Sequence, residues 1–176
     1  MLIFDPPKFF NLIKPYKNNS STRKEQVKQM FNNISDRYDF LNHFLSANLD
    51  KRWRKKLVRW LIRDHDNGHN NRKLAVLDAA TGTGDLGLMI AQHKKFTVTG
   101  IDLAENMLKI ARKKSESKGL SINFQEGDSE NLSFHDEEFH IVTSAFGIRN
   151  FEDLYAGINE IYRVLKPMGV CYILEL

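Results

Sequence analysis

Leu74-Ala75-Val76-Leu77-Asp78-Ala79-Ala80-Thr81-Gly82-Thr83-Gly84-Asp85-Leu86-Gly87 is the stretch that decides the fold. A short uncharged apolar run ends at Asp78, a glycine-rich turn follows, and a helical pattern opens at Asp85 and runs to 93. Gly82 to Gly87 is literally G-x-G-x-x-G, placed after a strand and at the head of a helix. In that context glycines let the backbone approach a ligand closely. A second apolar run, 96–101, ends at Asp102, 18 residues beyond Gly84. An acid at that strand end can hold ribose hydroxyls.

Working outward, 104–118 predicts a helix with Met107, Leu108, Ile110 and Ala111 inward, stopped by Gly119. Further strands are expected at 121–124, 139–145 and 169–174. A helix is expected over 152–165, with Leu154, Ile158, Ile161, Tyr162 and Leu165 on one side. Strand and helix alternate, which argues an α/β fold with a parallel sheet covered on both faces. Upstream the pattern differs. Residues 1–20, with Pro6, Pro7 and Pro15, read as an arm. Val27, Met30, Phe31 and Ile34 mark a helix from Lys24, and Asp36 is expected to cap a second one carrying Tyr38, Leu41, Phe44 and Leu45. A third helix begins near Asp50, and the polar run 64–71 reads as a linker. The chain therefore divides into an arm with a helical lid or substrate region, 1–72, and a ligand-binding α/β domain, 73–176.

The 176 residues are 41% hydrophobic and 27% charged, a globular composition too short for two full domains. No apolar run approaches the roughly 18 residues of a membrane span. The lone Cys171 excludes an intrachain disulfide and a cysteine-rich zinc site, and fits a reducing compartment. Net charge is +4, yet residues 1–72 hold 15 Lys and Arg against 7 acids, while 73–176 hold 11 against 15. A basic front can meet anionic lipid or nucleic acid, and an acidic back can hold a cationic ligand. No nucleic-acid-binding signature accompanies the basic part. Over 51–63, cations alternate with Trp53, Leu57, Trp60 and Leu61, a helix that either lies on an anionic membrane surface or packs that stripe on the domain. His65, Asp66 and His69 have a loose metal-like spacing but read as solvent-facing polar residues, so no metal is expected.

On spacing alone the glycine loop fits a dinucleotide as well as any adenosine-bearing cofactor. Charge separates the two. Asp78 before the turn and Asp85 within it place carboxylates where a pyrophosphate needs a bare helix terminus. S-adenosylmethionine carries an ammonium and a sulfonium instead, and acids attract both. Gly127-Asp128-Ser129-Glu130 follows the third strand, where Asp128 and Ser129 would meet an adenine.

Two segments are more particular than the glycine loop, Tyr38-Asp39-Phe40-Leu41-Asn42 and Phe146-Gly147-Ile148-Arg149-Asn150, and they stand with His43, Asp50 with Trp53-Arg54, Gly100-Ile101-Asp102 and Arg163-Val164-Leu165-Lys166-Pro167. From Lys24 to the last residue the chain resembles the ubiquinone/menaquinone biosynthesis C-methyltransferases. The resemblance implies a Rossmann-like class I S-adenosylmethionine-dependent methyltransferase sheet and methylation of a ring carbon of a polyprenyl quinol. Demethylmenaquinol is favoured over the ubiquinone precursor, because Lys14-Pro15-Tyr16-Lys17 and Lys24-Glu25-Gln26-Val27 look more like the menaquinone-making versions. By matched position Gly82, Thr83, Gly84, Asp102, Asp128 and Ser129 contact the cofactor, and Arg149 and Asn150 sit beside the reacting ring. A cytoplasmic protein at the inner face of the membrane is expected.

Arg149 is a poor base because its guanidinium stays protonated, and a better stabiliser of a quinolate oxygen, with Asn150 as hydrogen-bonding partner. Tyr38 closes over the site in this reading, and His43 is taken as packing. His140, Ser133 and Met168 depart from the family pattern, which has Asp, Pro and Gly there. Ala145 stands where some relatives have a cofactor-facing Ser. The resemblance further implies two more strands after residue 174, whose absence would leave the fifth strand's edge bare. The chain is then a fragment, or is completed by a second copy or a partner chain, or is a decayed cofactor-binding relative without activity. A methyltransferase of another substrate is the remaining alternative.

Overall fold

The structure is a computed structural model that describes residues 15–16, 20–46, 48–65 and 73–175, with the backbone alone at 40–45. Five strands, β1 (Leu74–Ala79), β2 (Phe96–Asp102), β3 (Asn123–Glu126), β4 (Phe139–Ala145) and β5 (Leu165–Leu174), form one sheet in the order β3-β2-β1-β4-β5. Every neighbouring pair is parallel. The helices are α1 (Arg23–Leu45), α2 (Leu49–His65), α3 (Asp85–Ala91), α4 (Glu105–Ser117) and α5 (Leu154–Val164), with a 3-10 turn at Ile148–Asn150.

The uncharged run that begins the glycine segment becomes β1 at the sheet's centre, where both faces are covered. Val76, Leu77 and Ala79 have no exposed surface, as a parallel central strand requires. Alternate residues then serve opposite layers. Val76, Val98 and Ile141 pack with Leu86 and Ile90 of α3 and with Leu57, Val58 and Leu61 of α2. Leu77, Ala79, Ile101, Phe139 and Val142 pack with Ile161 and Val164 of α5. Helix α4 adds Leu108 and Ala111 against Phe124 of β3.

The α/β alternation is as the sequence predicts; three details are not. First, residues 24–45 form one helix rather than two. Asp36 lies exposed in mid-helix instead of capping a new one. Asn32 and Ser35, weak helix formers, are compensated by bonding: Asn32 Oδ1 accepts the Asn106 amide at 3.0 Å, and Ser35 Oγ donates to the Asn32 carbonyl at 3.1 Å. The helix opens on a reciprocal box, in which the Thr22 amide donates to Glu25 Oε2 at 2.9 Å and the Glu25 amide to Thr22 Oγ1 at 3.2 Å. Second, α2 is part of the central core. Its Leu57 and Leu61 are buried against the sheet, so the stripe expected to choose between membrane and domain belongs to the domain. Trp60, by contrast, is outside it and 46% exposed. Third, β5 begins at Leu165, directly after α5, with its register shifted between Phe139 and Ile141. At that irregularity His140 Nδ1 accepts the Ala75 amide at 3.1 Å.

β5 is the last strand in the order, and Met168, Val170 and Ile173 are exposed along it; Tyr155 and Tyr162 of α5 are exposed as well. Among the described residues no helix is long and apolar enough to cross a membrane. Most of the arm over 1–20, the linker residues 66–72 (with Asp66 and His69) and the side chains of Leu41, His43, Phe44 and Leu45 lie outside the described residues. His65 ends α2 with its ring edge-on to Tyr172, centroids 6.2 Å apart.

Met168 is almost wholly exposed and holds φ +65°, a left-handed conformation that a side chain disfavours by about 1–2 kcal/mol. A glycine holds that conformation without the strain. Met168→Gly is expected to stabilise the fold by about 1 kcal/mol, raising Tm by about 3 °C in a calorimetric scan, once glycine's greater chain entropy is set against the strain. An unchanged or lowered Tm would contradict that account.

Candidate functional site

In the strand order the direction of winding reverses at β1, so a crevice opens at the carboxyl ends of β1 and β4, the place where open α/β sheets bind ligands. A cleft of about 870 Å³, its solvent-filled mouth included, lies there. Two non-glycine residues in left-handed backbone flank it, Ala80 after β1 (φ +54°) and Phe146 after β4 (φ +61°). Such strain persists only where the surroundings over-determine it.

Asp78 fixes the floor. It is 1% exposed; Oδ2 accepts the Thr81 hydroxyl at 2.6 Å and the Gly87 amide at 3.1 Å, and Oδ1 accepts the Thr143 hydroxyl at 2.8 Å. One carboxylate thus joins β1, the glycine turn, the first turn of α3 and β4. Above it, Gly82 (φ +57°) donates its amide to Asp102 Oδ2 at 2.8 Å. Gly84 (φ +82°) admits no side chain, since a Cβ there would stand 3.0 Å from that of Ala111 and 3.1 Å from the Phe124 ring. Asp102 Oδ1 accepts the Ala104 amide at 2.9 Å. Burial pushes the carboxyls of both Asp78 and Asp102 up, even though their hydrogen bonds pull the other way.

The charged lining is mostly acidic. Asp78, Asp85, Asp102, Asp128 and Glu130 face Lys28 and Arg54, and both bases are already paired, Lys28 with Glu126 at 2.5 Å and Arg54 with Asp50 at 2.5 Å. A pyrophosphate would find no free cation among these lining residues, whereas a cationic ligand finds acids. Asp78 and Asp85, the acids expected from the sequence to meet a cationic ligand, are both already engaged. Asp78 is spent beneath the loop, and Asp85 is neutralised by Lys114 at 2.5 Å. Asp128 and Glu130 are shared with Lys24, which leaves Asp102 as the lining acid with no lysine or arginine in ion-pair contact among the described residues.

Helix α1 crosses this edge as a strap. The Arg23 guanidinium, nearly buried, donates to the carbonyls of Arg149 (3.0 Å), Asn150 (3.3 Å) and Phe151. Lys24 pairs with Asp128 at 2.6 Å and Glu130 at 3.3 Å. Farther along, Asp39 Oδ1 accepts the Thr83 hydroxyl at 2.5 Å, and Lys114 binds Asp39, Asp85 and Thr83 at 2.8, 2.5 and 3.2 Å. Phe31 and Tyr38, edge to face at 5.6 Å, line the cleft from the same helix.

Gly82, Thr83, Asp102, Asp128, Ser129 and Asn150 all line the cleft; Gly84 lies behind it, packed on α4. Thr83 turns its hydroxyl to α1. Asp128 serves an Asx turn as well, its Oδ1 accepting the Glu130 amide at 2.9 Å. Arg149 is not among the lining residues. Its guanidinium is half-exposed, 3.4 Å from Glu175 Oε1 and 5.9 Å from the centre of the Phe146 ring. Four residues that hold the site carry no local sequence signal of that role: Arg23, Lys24, Asp39 and Lys114. Only the Thr22-to-Glu25 spacing signalled that a helix starts just there. Arg54 likewise enters the cleft wall, with Phe146 under its guanidinium at 5.2 Å.

Residues 19–176 match the model of the ubiE/COQ5 methyltransferase family. The chain is 44% identical over 167 residues to a demethylmenaquinone methyltransferase of Bacteroides fragilis, covering 93% of this chain and 65% of that protein. It is 41% identical over 155 residues to the ubiquinone/menaquinone biosynthesis C-methyltransferase UbiE of Geotalea daltonii, covering 86% and 63%. The chain spans under two thirds of the length of these curated relatives. Its fold is similar to the crystal structure of a putative S-adenosyl-L-methionine-dependent methyltransferase from Methanococcus maripaludis, with TM-score 0.64, 24% identity, and 90% of this chain and 66% of that one covered.

Lys114 is the shared cation of the strap's far end. Lys114→Met leaves Asp39 and Asp85 facing each other without it, and like charges then push α1 off the glycine turn. Native-state hydrogen exchange at 36–40 is expected to quicken at least tenfold while β1 and β4 stay protected; uniform change across the chain would contradict a local latch.

Proposed function

The chain belongs to the ubiE/COQ5 methyltransferase family, and on that premise we propose that it transfers a methyl group from S-adenosylmethionine to a ring carbon of a polyprenyl quinol, with demethylmenaquinol the favoured substrate. The observation that carries the cofactor assignment is Asp102 at the end of β2, an acid with no lysine or arginine in ion-pair contact among the described residues, in a cleft whose two lining bases are both paired. The substrate assignment follows the names of relatives 44% and 41% identical to the chain.

The residues present fit this cofactor. Asp102 spends one lone pair of each oxygen on backbone amides and keeps the others for ribose hydroxyls. Asp128 and Ser129, at the end of β3, would hold the adenine edge. Gly82, Thr83 and Gly84 would let the backbone meet the aminoacyl end. Bound there, S-adenosylmethionine supplies an electrophilic methyl carbon on a sulfonium. Phe31, Tyr38, Phe146 and Phe151 of the lining exclude water from the reacting centre. The Asn150 amide, in the cleft wall, would orient a ring oxygen. Arg149 would stabilise that oxygen as it loses its proton. Its present partner Glu175 makes an exposed pair, and such pairs are weak enough to be exchanged for the substrate. In this reading residues 1–72 give the cover and substrate side and residues 73–176 the cofactor floor. A polyprenyl tail partitions into a bilayer, so the working position is a cytoplasmic membrane surface.

Titration calorimetry with S-adenosylmethionine, followed by methylation of demethylmenaquinol, tests the proposal. Asp102→Ala is expected to weaken cofactor binding more than tenfold. Arg149→Ala should abolish turnover with cofactor affinity nearly intact; equal loss of both would sink the assigned role. Tighter binding of a dinucleotide than of S-adenosylmethionine would sink the cofactor assignment, and cofactor binding without turnover would leave a binding protein.

The raised carboxyls make binding pH-dependent. The empty fold disfavours the ionised forms of Asp78 and Asp102, whereas a cation nearby favours them. Affinity for S-adenosylmethionine should therefore rise with pH through their elevated titration range and level off above it, with protons released on binding at the lower end. Calorimetry in two buffers of different ionisation enthalpy reads that release; uptake of protons would contradict it.

A further inference from the structure

Outside the cleft the molecule has a second charged surface. The outward side of α2 exposes Arg52, Lys55, Lys56, Arg59 and Arg63, spaced three and four residues apart, so that they form one stripe. Asp50, Arg54, Leu57, Val58 and Leu61 are the buried side of the same helix. On the shoulder of the stripe stand Leu49, 39% exposed, and Trp60, 46% exposed, with Lys56 Nζ 4.8 Å from the centre of the Trp60 ring. Arg63 pairs with its neighbour Asp64 at 2.9 Å. Arg52, Lys55 and Arg59 have no carboxylate in ion-pair contact among the described residues.

Like charges one helical turn apart repel, and folding alone does not require them there. An unneutralised cationic stripe edged by a tryptophan and a leucine has the chemistry of a helix lying flat on an anionic bilayer, the cations at the headgroups and the apolar shoulder at the acyl boundary. We propose that this face of α2 docks the protein on an anionic lipid surface. The exposed Trp60 and Leu49 favour a bilayer over nucleic acid, since phosphate neutralisation gives them nothing to enter.

Docking in this way also places the cleft. On its inner side α2 contributes Arg54 to the cleft wall, and Trp53 packs on Phe146, ring centroids 6.3 Å apart. One helix, about 10 Å across, then separates the lipid surface from the cleft. This consequence rests on the proposed quinol substrate; the docking itself does not.

The test uses the full chain with no quinol present and co-sedimentation with phosphatidylcholine vesicles with or without phosphatidylglycerol. Binding is expected only to vesicles with phosphatidylglycerol, and it should fall as salt shortens the screening length. The double variant Arg52→Glu, Arg59→Glu should weaken it at least tenfold, and Trp60→Ala more modestly, both with unchanged affinity for S-adenosylmethionine in calorimetry. That second readout shows that the variants are folded and keeps the two proposals apart. Lost cofactor binding with vesicle binding intact counts against the enzyme reading alone. Absent vesicle binding, binding indifferent to salt and charge reversal, or a preference for an RNA oligonucleotide over the vesicles overturns the docking proposal.

Discussion

One buried carboxylate governs the arrangement of everything around the cleft. Asp78 ends the central strand where no water reaches, and a charge in that position needs donors on every side. It takes them from Thr81, Gly87 and Thr143, one in the turn, one in the following helix and one on the strand across the crevice. Because each donor is itself buried, none can leave without stranding a polar group. The left-handed residues Ala80 and Phe146 are held against their own preference by this tie and by Gly147, where a Cβ would come within 2.6 Å of the Ala80 Cβ. Loop shape, strand spacing and crevice width are therefore not independent properties.

The two helices that precede the sheet are attached by opposite means. α2 is anchored through Leu57, Val58 and Leu61, which cannot leave the core without exposing apolar surface. α1 is attached across the carboxyl edge mainly through Arg23, Lys24, Asn32 and Asp39, by contacts that water can replace. A cover fastened mainly by polar contacts, with Val27 the buried apolar residue of α1 among the described residues, exposes less apolar surface on opening than α2 would, which suits a site that must admit a large ligand and then exclude water. The same contacts engage Thr83 and Asp128, so the cover and a ligand draw on shared groups.

The sequence shows most plainly what depends on short range. The uncharged run before Asp78, the glycine spacing and the alternation of strand and helix all survive in the structure, because each is a local pattern with one physical reading. The single helix α1 was not legible: Asp36 read as the cap of a second helix, and the bonds of Asn32 to α4 and of Ser35 within the helix help to carry the chain through. Charges deceive for the same reason. Asp85 looks free beside the glycines, and nothing nearby in the chain announces Lys114, 29 residues on. Arg149 looks like a cleft residue, yet its guanidinium is placed by Glu175, 26 residues away, and by the Phe146 ring. Arg23 and Lys24 look like ordinary solvated cations until the turn at 149–151 and the acids at 128 and 130 are brought over them.

The pairing of β1 with β4 has a kinetic side. Val76 lies opposite Ile141, across 65 residues of chain, whereas β1, β2 and β3 pair in sequence through short crossovers. Closing that long loop is entropically slow, so the half bearing the glycine turn can assemble before the strand that completes the crevice. The binding cleft is then among the last things to form and, on the way back, among the first to be lost. A ligand that needs both walls cannot guide the early steps of folding. It acts instead as a brake on unfolding, lengthening the lifetime of a finished molecule rather than hastening its birth.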